Sequence, residues 1–166
     1  MIDVPPLDYI VYLSSTSYHW WNFASNNWKK NLIDILSIRD KDINFIDPLK
    51  FKSNDPSVCP MDLEDINRSN YIAIYLNKIT IGTMLELGYC IYNKLKFGIL
   101  TFNKKVIEHP WIQHLCGNSI FTNYISICND IALDYKITKF SKRQQKCQEK
   151  NQKNQLIQDH HHTQSL

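Results

Sequence analysis

Tyr71-Ile72-Ala73-Ile74-Tyr75-Leu76 is an almost unbroken apolar, β-favouring run, and after six intervening residues comes Thr83-Met84-Leu85-Glu86-Leu87-Gly88-Tyr89-Cys90. A strand without polar alternation is covered on both faces, which places it in the middle of a parallel sheet. The spacing that follows predicts a helix over 83–93, with Glu86 in its first turn. Ligands of open α/β sheets bind at the carboxyl ends of strands, so this short crossing is where an active-site carboxylate is expected. Thr83-x-x-Glu86 also fits a capping box, in which threonine and glutamate satisfy orphan backbone N–H groups at a helix start. The two roles are compatible. The positive end of the helix dipole stabilises an ionised carboxylate, the form that nucleophilic catalysis requires.

Outward from this segment, strands and helices alternate. Residues 9–14 read as a first strand, and Trp21, Trp28, Leu32, Ile35 and Leu36 give a helix from about Trp20 to Ile38 its apolar spacing. A short strand follows at 43–46. Pro48, Pro56 and Pro60 make 47–60 a loop over the active-site face, and Asp62–Arg68 a short helix. The fourth strand spans 96–102, where the interior Gly98 marks a weak point or a close backbone approach. His109-Pro110 opens a helix reaching Cys116, Ser119-Ile120-Phe121 is a fifth strand, and a last helix runs from about Tyr124 to Tyr135. Such alternation produces right-handed crossovers and a parallel sheet.

At 166 residues, 43% hydrophobic and 12% aromatic, the chain can build one real core. We expect one domain over residues 1–140 and a disordered polar, basic tail over 141–166. The net charge of +3 resides in that tail, which carries five Lys and Arg against two acids, while residues 1–140 hold 14 of each sign. With no aromatic residue after Phe140, the tail cannot offset its ordering entropy by burial. No apolar run nears the roughly 18 residues that span a bilayer, and the N-terminus lacks a signal pattern, so a cytoplasmic location is expected. Cys59, Cys90, Cys116, Cys128 and Cys147 are scattered without a Cys-x-x-Cys pair, and His19, His109 and His114 are isolated, so no metal and no cofactor is expected. His160-His161-His162 reads as part of the tail's bias. Gly-x-Gly-x-x-Gly and Walker patterns are absent, which counts against dinucleotide and nucleoside-triphosphate chemistry.

Three segments in order, Tyr9-Ile10-Val11-Tyr12-Leu13-Ser14-Ser15-Thr16, Asp62-Leu63-Glu64-Asp65-Ile66-Asn67-Arg68-Ser69-Asn70 and Ile81-Gly82-Thr83-Met84-Leu85-Glu86-Leu87-Gly88-Tyr89, resemble the nucleoside 2-deoxyribosyltransferase family. Phe45-Ile46-Asp47-Pro48-Leu49 is similar to the family as well. The Gly-Thr-x-x-Glu-Leu-Gly-Tyr element is the most specific of these. The resemblance covers about the first 130 residues and implies a flavodoxin-like, doubly wound α/β domain, a parallel sheet of about five strands with helices on both faces.

It implies further that Glu86 is a nucleophile that attacks the anomeric carbon of a 2'-deoxynucleoside, expels the base and forms a deoxyribosyl ester, which a second base or water then resolves. Tyr12 corresponds to a tyrosine that holds the nucleophile, and Asp62 to an aspartate that contacts substrate. Gly82 belongs to the same binding element. Asn118 is the candidate for a polar residue that reaches a neighbouring subunit's pocket; as part of a Gly-Asn pair it is by default a turn residue.

Two positions depart from the pattern. Thr80 stands where the family often has an aspartate that protonates the leaving base, and a hydroxyl is a poor proton donor, so either Asp62 supplies the acid or catalysis is slower. Ser14-Ser15-Thr16-Ser17 stands where glycines are usual. These hydroxyls could hold a 5'-phosphate, as in the related 2'-deoxynucleoside 5'-phosphate N-hydrolases, or serve as caps and turns. Tyr18 and Trp20 are candidate lid residues, with Trp21 assigned to the core. The expected function is base exchange on 2'-deoxynucleosides, in nucleotide salvage. The alternatives are hydrolysis of deoxynucleosides or their 5'-monophosphates and a non-catalytic nucleotide-binding protein. Expected partners are a deoxynucleoside, a free nucleobase and further copies of the chain; neither a membrane nor nucleic acid is expected.

Overall fold

Five apolar runs line up side by side, all parallel, in the order β2-β1-β3-β4-β5: β1 (Tyr9–Ser15), β2 (Ile43–Ile46), β3 (Tyr71–Tyr75), β4 (Phe97–Leu100) and β5 (Ile120–Phe121). The computed structural model describes residues 8–15, 23–48 and 58–163. Helices α1 (Phe23–Arg39), α2 (Val58–Arg68), α3 (Ile81–Tyr92), α4 (Lys104–Ile107), α5 (Pro110–Cys116) and α6 (Tyr124–Thr163) fill the crossovers and close the chain. The order is that of a flavodoxin-like fold. The chain divides into two units, residues 1–132, which contain the sheet, and residues 133–166.

β1 is a central strand. Tyr9, Val11, Tyr12, Leu13 and Ser14 have no exposed surface, as expected where helices cover both faces. Strand alternation sorts the core into two layers. Tyr12, Ile72, Ile74 and Ile99 pack with Ile66 of α2, Leu87 and Cys90 of α3, Val106 of α4, and Ile112 and Cys116 of α5. On the opposite face Trp28 of α1 stacks on Tyr75 with ring centroids 5.2 Å apart, and the Tyr71 hydroxyl donates to Asp130 of α6 at 2.6 Å. Asn70 fastens β1 to the start of β3. Its backbone N–H donates to Ile10 O at 2.8 Å, while its side-chain oxygen accepts from the Ile10 N–H at 2.9 Å.

Several boundaries differ from the sequence reading, each for a local reason. Pro60 lies inside α2 rather than in a loop, because the first turn of a helix has no intrahelical acceptor for the N–H that proline lacks. α4 was not anticipated; it is a single turn started by Asn103, whose side chain accepts from the Lys105 N–H at 3.0 Å. α6 begins where Asn123 accepts from the Ser126 N–H, as the spacing predicts, and continues past Tyr135 to Thr163 with no Gly or Pro to stop it. Thr16, Ser17, Tyr18, Trp20, Trp21 and Pro56 lie outside the described residues, as does most of the loop before α2.

Gly98 is a close approach. A methyl group there would meet the Tyr71 hydroxyl and, at 2.9 Å, Cε2 of Phe121. Gly98→Ala should therefore destabilise the protein by about 1–3 kcal/mol, the scale of overpacking. Denaturant unfolding would measure this, and the added cost should shrink in a Tyr71→Phe background, where the opposing oxygen is gone.

Candidate active site

α3 does not begin as the threonine spacing suggests. Its N-cap is Thr80, in extended conformation, and the first helical residue is Ile81. Glu86 is the sixth residue of the helix, past the first turn, so it caps nothing. Thr83 is buried, and its hydroxyl oxygen accepts from the Thr80 hydroxyl at 3.2 Å. The capping-box reading is thereby corrected, and the dipole argument weakens with it, because that field fades within the first turn.

The Glu86 carboxylate instead reaches across to β1. The Tyr12 hydroxyl donates to Oε1 at 3.3 Å, and the Ser14 hydroxyl donates to Oε2. Residues 12 and 14 project from the same face of the strand, so one strand end supplies both donors and each carboxylate oxygen has one. This places Glu86 at the carboxyl ends of β1 and β3. In the order β2-β1-β3-β4-β5 that is where neighbouring connections diverge to opposite faces, the crevice in which open α/β sheets bind ligands.

Burial pushes the Glu86 carboxyl above its ordinary range, and the nearby Asp62 charge adds to this. The Ser14 and Tyr12 hydrogen bonds and the Lys29 charge pull the other way. Tyr12 is pushed far up by burial and by the Glu86 charge, so its phenol keeps its proton and remains a donor. Burial also raises Asp62, with Asp65 adding to it. Cys90, one turn beyond Glu86, is pushed up to about 12 by burial, with the Glu86 charge adding to it, and remains a thiol.

Of the residues singled out from the sequence, Tyr12, Ser14 and Glu86 meet, and Asp62 faces them from α2 closely enough for its charge to act on both Tyr12 and Glu86. Ser15 ends β1 level with Tyr75, on the strand's other face. Thr80 is the cap of α3, and Gly82 lies in its first turn with open space around it. Asn118 is not brought to Glu86; it is exposed in the 3-10 turn Gly117–Ser119 that leads into the amino end of β5.

Lys29 was missed. It is 5% exposed on α1 and pairs with Asp47 at the end of β2. The signal was present, since position 29 lies three residues before Leu32 and seven before Leu36, on the buried stripe of the helix. A run of aromatic rings also lies near this edge: Trp28 on Tyr75, Tyr75 against Phe102 at 6.5 Å, and Phe102 against Tyr124 at 5.7 Å.

Neither a protein-family profile nor a curated protein sequence matches this chain. Solved structures do. A conserved protein from Enterococcus faecalis V583 is 14% identical with a TM-score of 0.60, over 76% of this chain and 99% of that one. A 2-deoxyribosyltransferase from Bacillus psychrosaccharolyticus is also 14% identical, with a TM-score of 0.55, over 72% of this chain and 90% of its own. The fold is that of a 2-deoxyribosyltransferase. Among the described residues no helix is long and apolar enough to cross a membrane.

The raised Glu86 carboxyl has a consequence for stability. A carboxyl whose folded pKa lies above its unfolded value favours the folded state when protonated, and that contribution is lost as pH rises through the folded pKa. Ionised Glu86 is thus a net cost to the fold. Glu86→Gln should melt no lower than the parent at pH 8, and its advantage should shrink as pH falls into the acid range. Thermal melts across pH would show this.

Proposed function

We propose that the protein transfers 2-deoxyribose between nucleobases through a covalent ester on Glu86. The observation that carries this reading is the carboxylate held by one hydroxyl on each oxygen, Tyr12 on Oε1 and Ser14 on Oε2, at the strand ends where the fold binds ligands. A carboxylate fixed in this way is suited to trap an oxocarbenium-like anomeric carbon from one face of the sugar as the base departs. A second base then attacks the same carbon from the vacated side and configuration is retained. Burial makes the carboxylate a stronger nucleophile, and the hydroxyl donors favour its ionised form.

Departure of the base needs a proton. Asp62, whose carboxyl is pushed up by burial and by Asp65, is the acid we assign to deliver it to the ring. That leaves Thr80, which stands where the family often has an acid, as a cap of α3 rather than a proton donor. The Ser14 hydroxyl is engaged by Glu86, which favours an unphosphorylated nucleoside over a 5'-monophosphate. Hydrolysis is the same chemistry with water as the acceptor.

The reading is tested by incubating the protein with a deoxynucleoside, with and without a second free base, and separating the products. New nucleoside with retained configuration is expected, and acid quenching during turnover should leave one deoxyribosyl mass on the Glu86 peptide. Glu86→Ala should lose base release by at least roughly a thousandfold while remaining folded. Inverted configuration, or parent-like turnover by the variant, overturns the proposal.

We expect further copies of the chain to cover the outer face of α3. Ile81, Leu85 and Tyr92 are 82%, 69% and 85% exposed and form with Gly88 one uncharged stripe on the helix that carries Glu86. A stripe without charge suits a like stripe better than it suits water. Sedimentation should show an oligomer for the parent and a monomer for Leu85→Lys.

A further inference from the structure

The charge of this chain is segregated. Residues 1–132 carry 12 Lys and Arg against 13 Asp and Glu, whereas residues 133–166, a unit of their own, carry seven against three. A disordered tail, as its composition suggests, would give these cations no common direction. The chain is instead helical through Thr163, and the helix sorts them. Lys136, Lys139, Arg143, Lys146 and Lys150 follow one another at alternating spacings of three and four residues. At about 100° per residue they fall within an arc of roughly 80°, a stripe about 21 Å long with a cation about every 5 Å. Asp134 and Glu149, the only acids in 133–152, lie outside that arc. Lys139 is half-buried and donates to the Tyr135 hydroxyl at 2.7 Å. The other four are exposed and form no ion pair among the described residues. Like charges at these spacings repel and weaken a helix, so the stripe is costly until anions lie along it.

We propose that this stripe docks on duplex DNA, along the phosphates that wall the major groove. Duplex DNA presents one negative charge per about 1.7 Å of axis, beside a groove about 12 Å wide that admits an α-helix. The neighbouring faces carry the amides Gln144, Gln148 and Asn151, which phosphates do not repel. An anionic membrane fits less well. The exposed apolar residues Leu133, Ile137 and Phe140 end within two turns, and their line continues as Gln144 and Asn151 around a lone Cys147, with little to insert beside Arg143, Lys146 and Lys150. Single strands are held by aromatic rings on which bases stack, and no aromatic residue follows Phe140. The A-form major groove of RNA is too narrow for side chains to read. A second copy of the helix would set like charge against like. The docking is independent of the reaction proposed above.

The full chain is titrated against a fluorescently labelled DNA duplex of mixed sequence, and anisotropy gives the affinity between about 50 and 200 mM salt. Five neutralised phosphates set the expected slope of log K against log salt at about −4.5. Arg143→Gln/Lys146→Gln keeps good helix formers at exposed positions, so circular dichroism should be unchanged. The slope should become shallower by about two, and binding at low salt should weaken roughly tenfold or more. Lys30→Gln/Lys41→Gln removes the same charge from residues 1–132 and should bind as the parent does. No binding to the duplex, a slope unchanged in Arg143→Gln/Lys146→Gln, or an equal loss in Lys30→Gln/Lys41→Gln overturns the DNA reading. So does tighter binding to a single strand of the same length, to double-stranded RNA, or to vesicles of phosphatidylserine and phosphatidylcholine.

Discussion

The carboxylate of Glu86 is half-buried, and two hydroxyls on one strand, Tyr12 and Ser14, donate to it where burial has removed solvent. A buried carboxylate without donors would simply hold its proton. The rest of the site follows from this constraint. β1 must reach the carboxyl edge fully covered, so that Tyr12 and Ser14 are fixed rather than solvated. Glu86 must lie on the side of α3 that meets that strand. Tyr12 must keep its proton, and burial beside a carboxylate ensures that it does. The fold provides rigid elements on both sides of the interaction, which is the arrangement that preserves a productive geometry.

Much of this was legible in the residues. The apolar runs at 9–14, 43–46, 71–76 and 96–102 became β1 to β4 with no end shifted by more than two residues, because continuous apolar sequence between turn signals leaves a buried strand little choice. Gly98 was readable as a close approach because an interior strand glycine needs a steric reason. Glu86 was legible as the carboxylate after the central strand, but its partners depended on which threonine capped the helix. Thr80 and Thr83 are chemically equal candidates. Only the sheet, by burying Thr83, decides between them. Lys29 stood at a buried position of the helix stripe, but a lysine is assigned to solvent by default, and its ion pair with Asp47 joins residues that the sequence separates by a helix and a strand.

The electrostatic arrangement is graded rather than simply charged. The site gathers Asp62 and Glu86 where burial raises both, and it offsets one of them with hydroxyls and an ammonium while leaving the other beside a further acid, Asp65. Both carboxyls are pushed up, and at Glu86 the hydroxyl donors work against the push.

Asn70 touches none of these groups, yet it governs them. By clasping Ile10 with both its backbone and its side chain, it sets how β1 lies against β3 at the amino edge, roughly 13 Å along the strand from Ser14. Strand parity is strict. A slip of one residue would turn Tyr12 and Ser14 toward α1 and present Leu13 and Ser15 to Glu86 instead. The identity of the face that meets Glu86 is therefore written at the opposite end of the sheet, by an amide whose contribution is alignment.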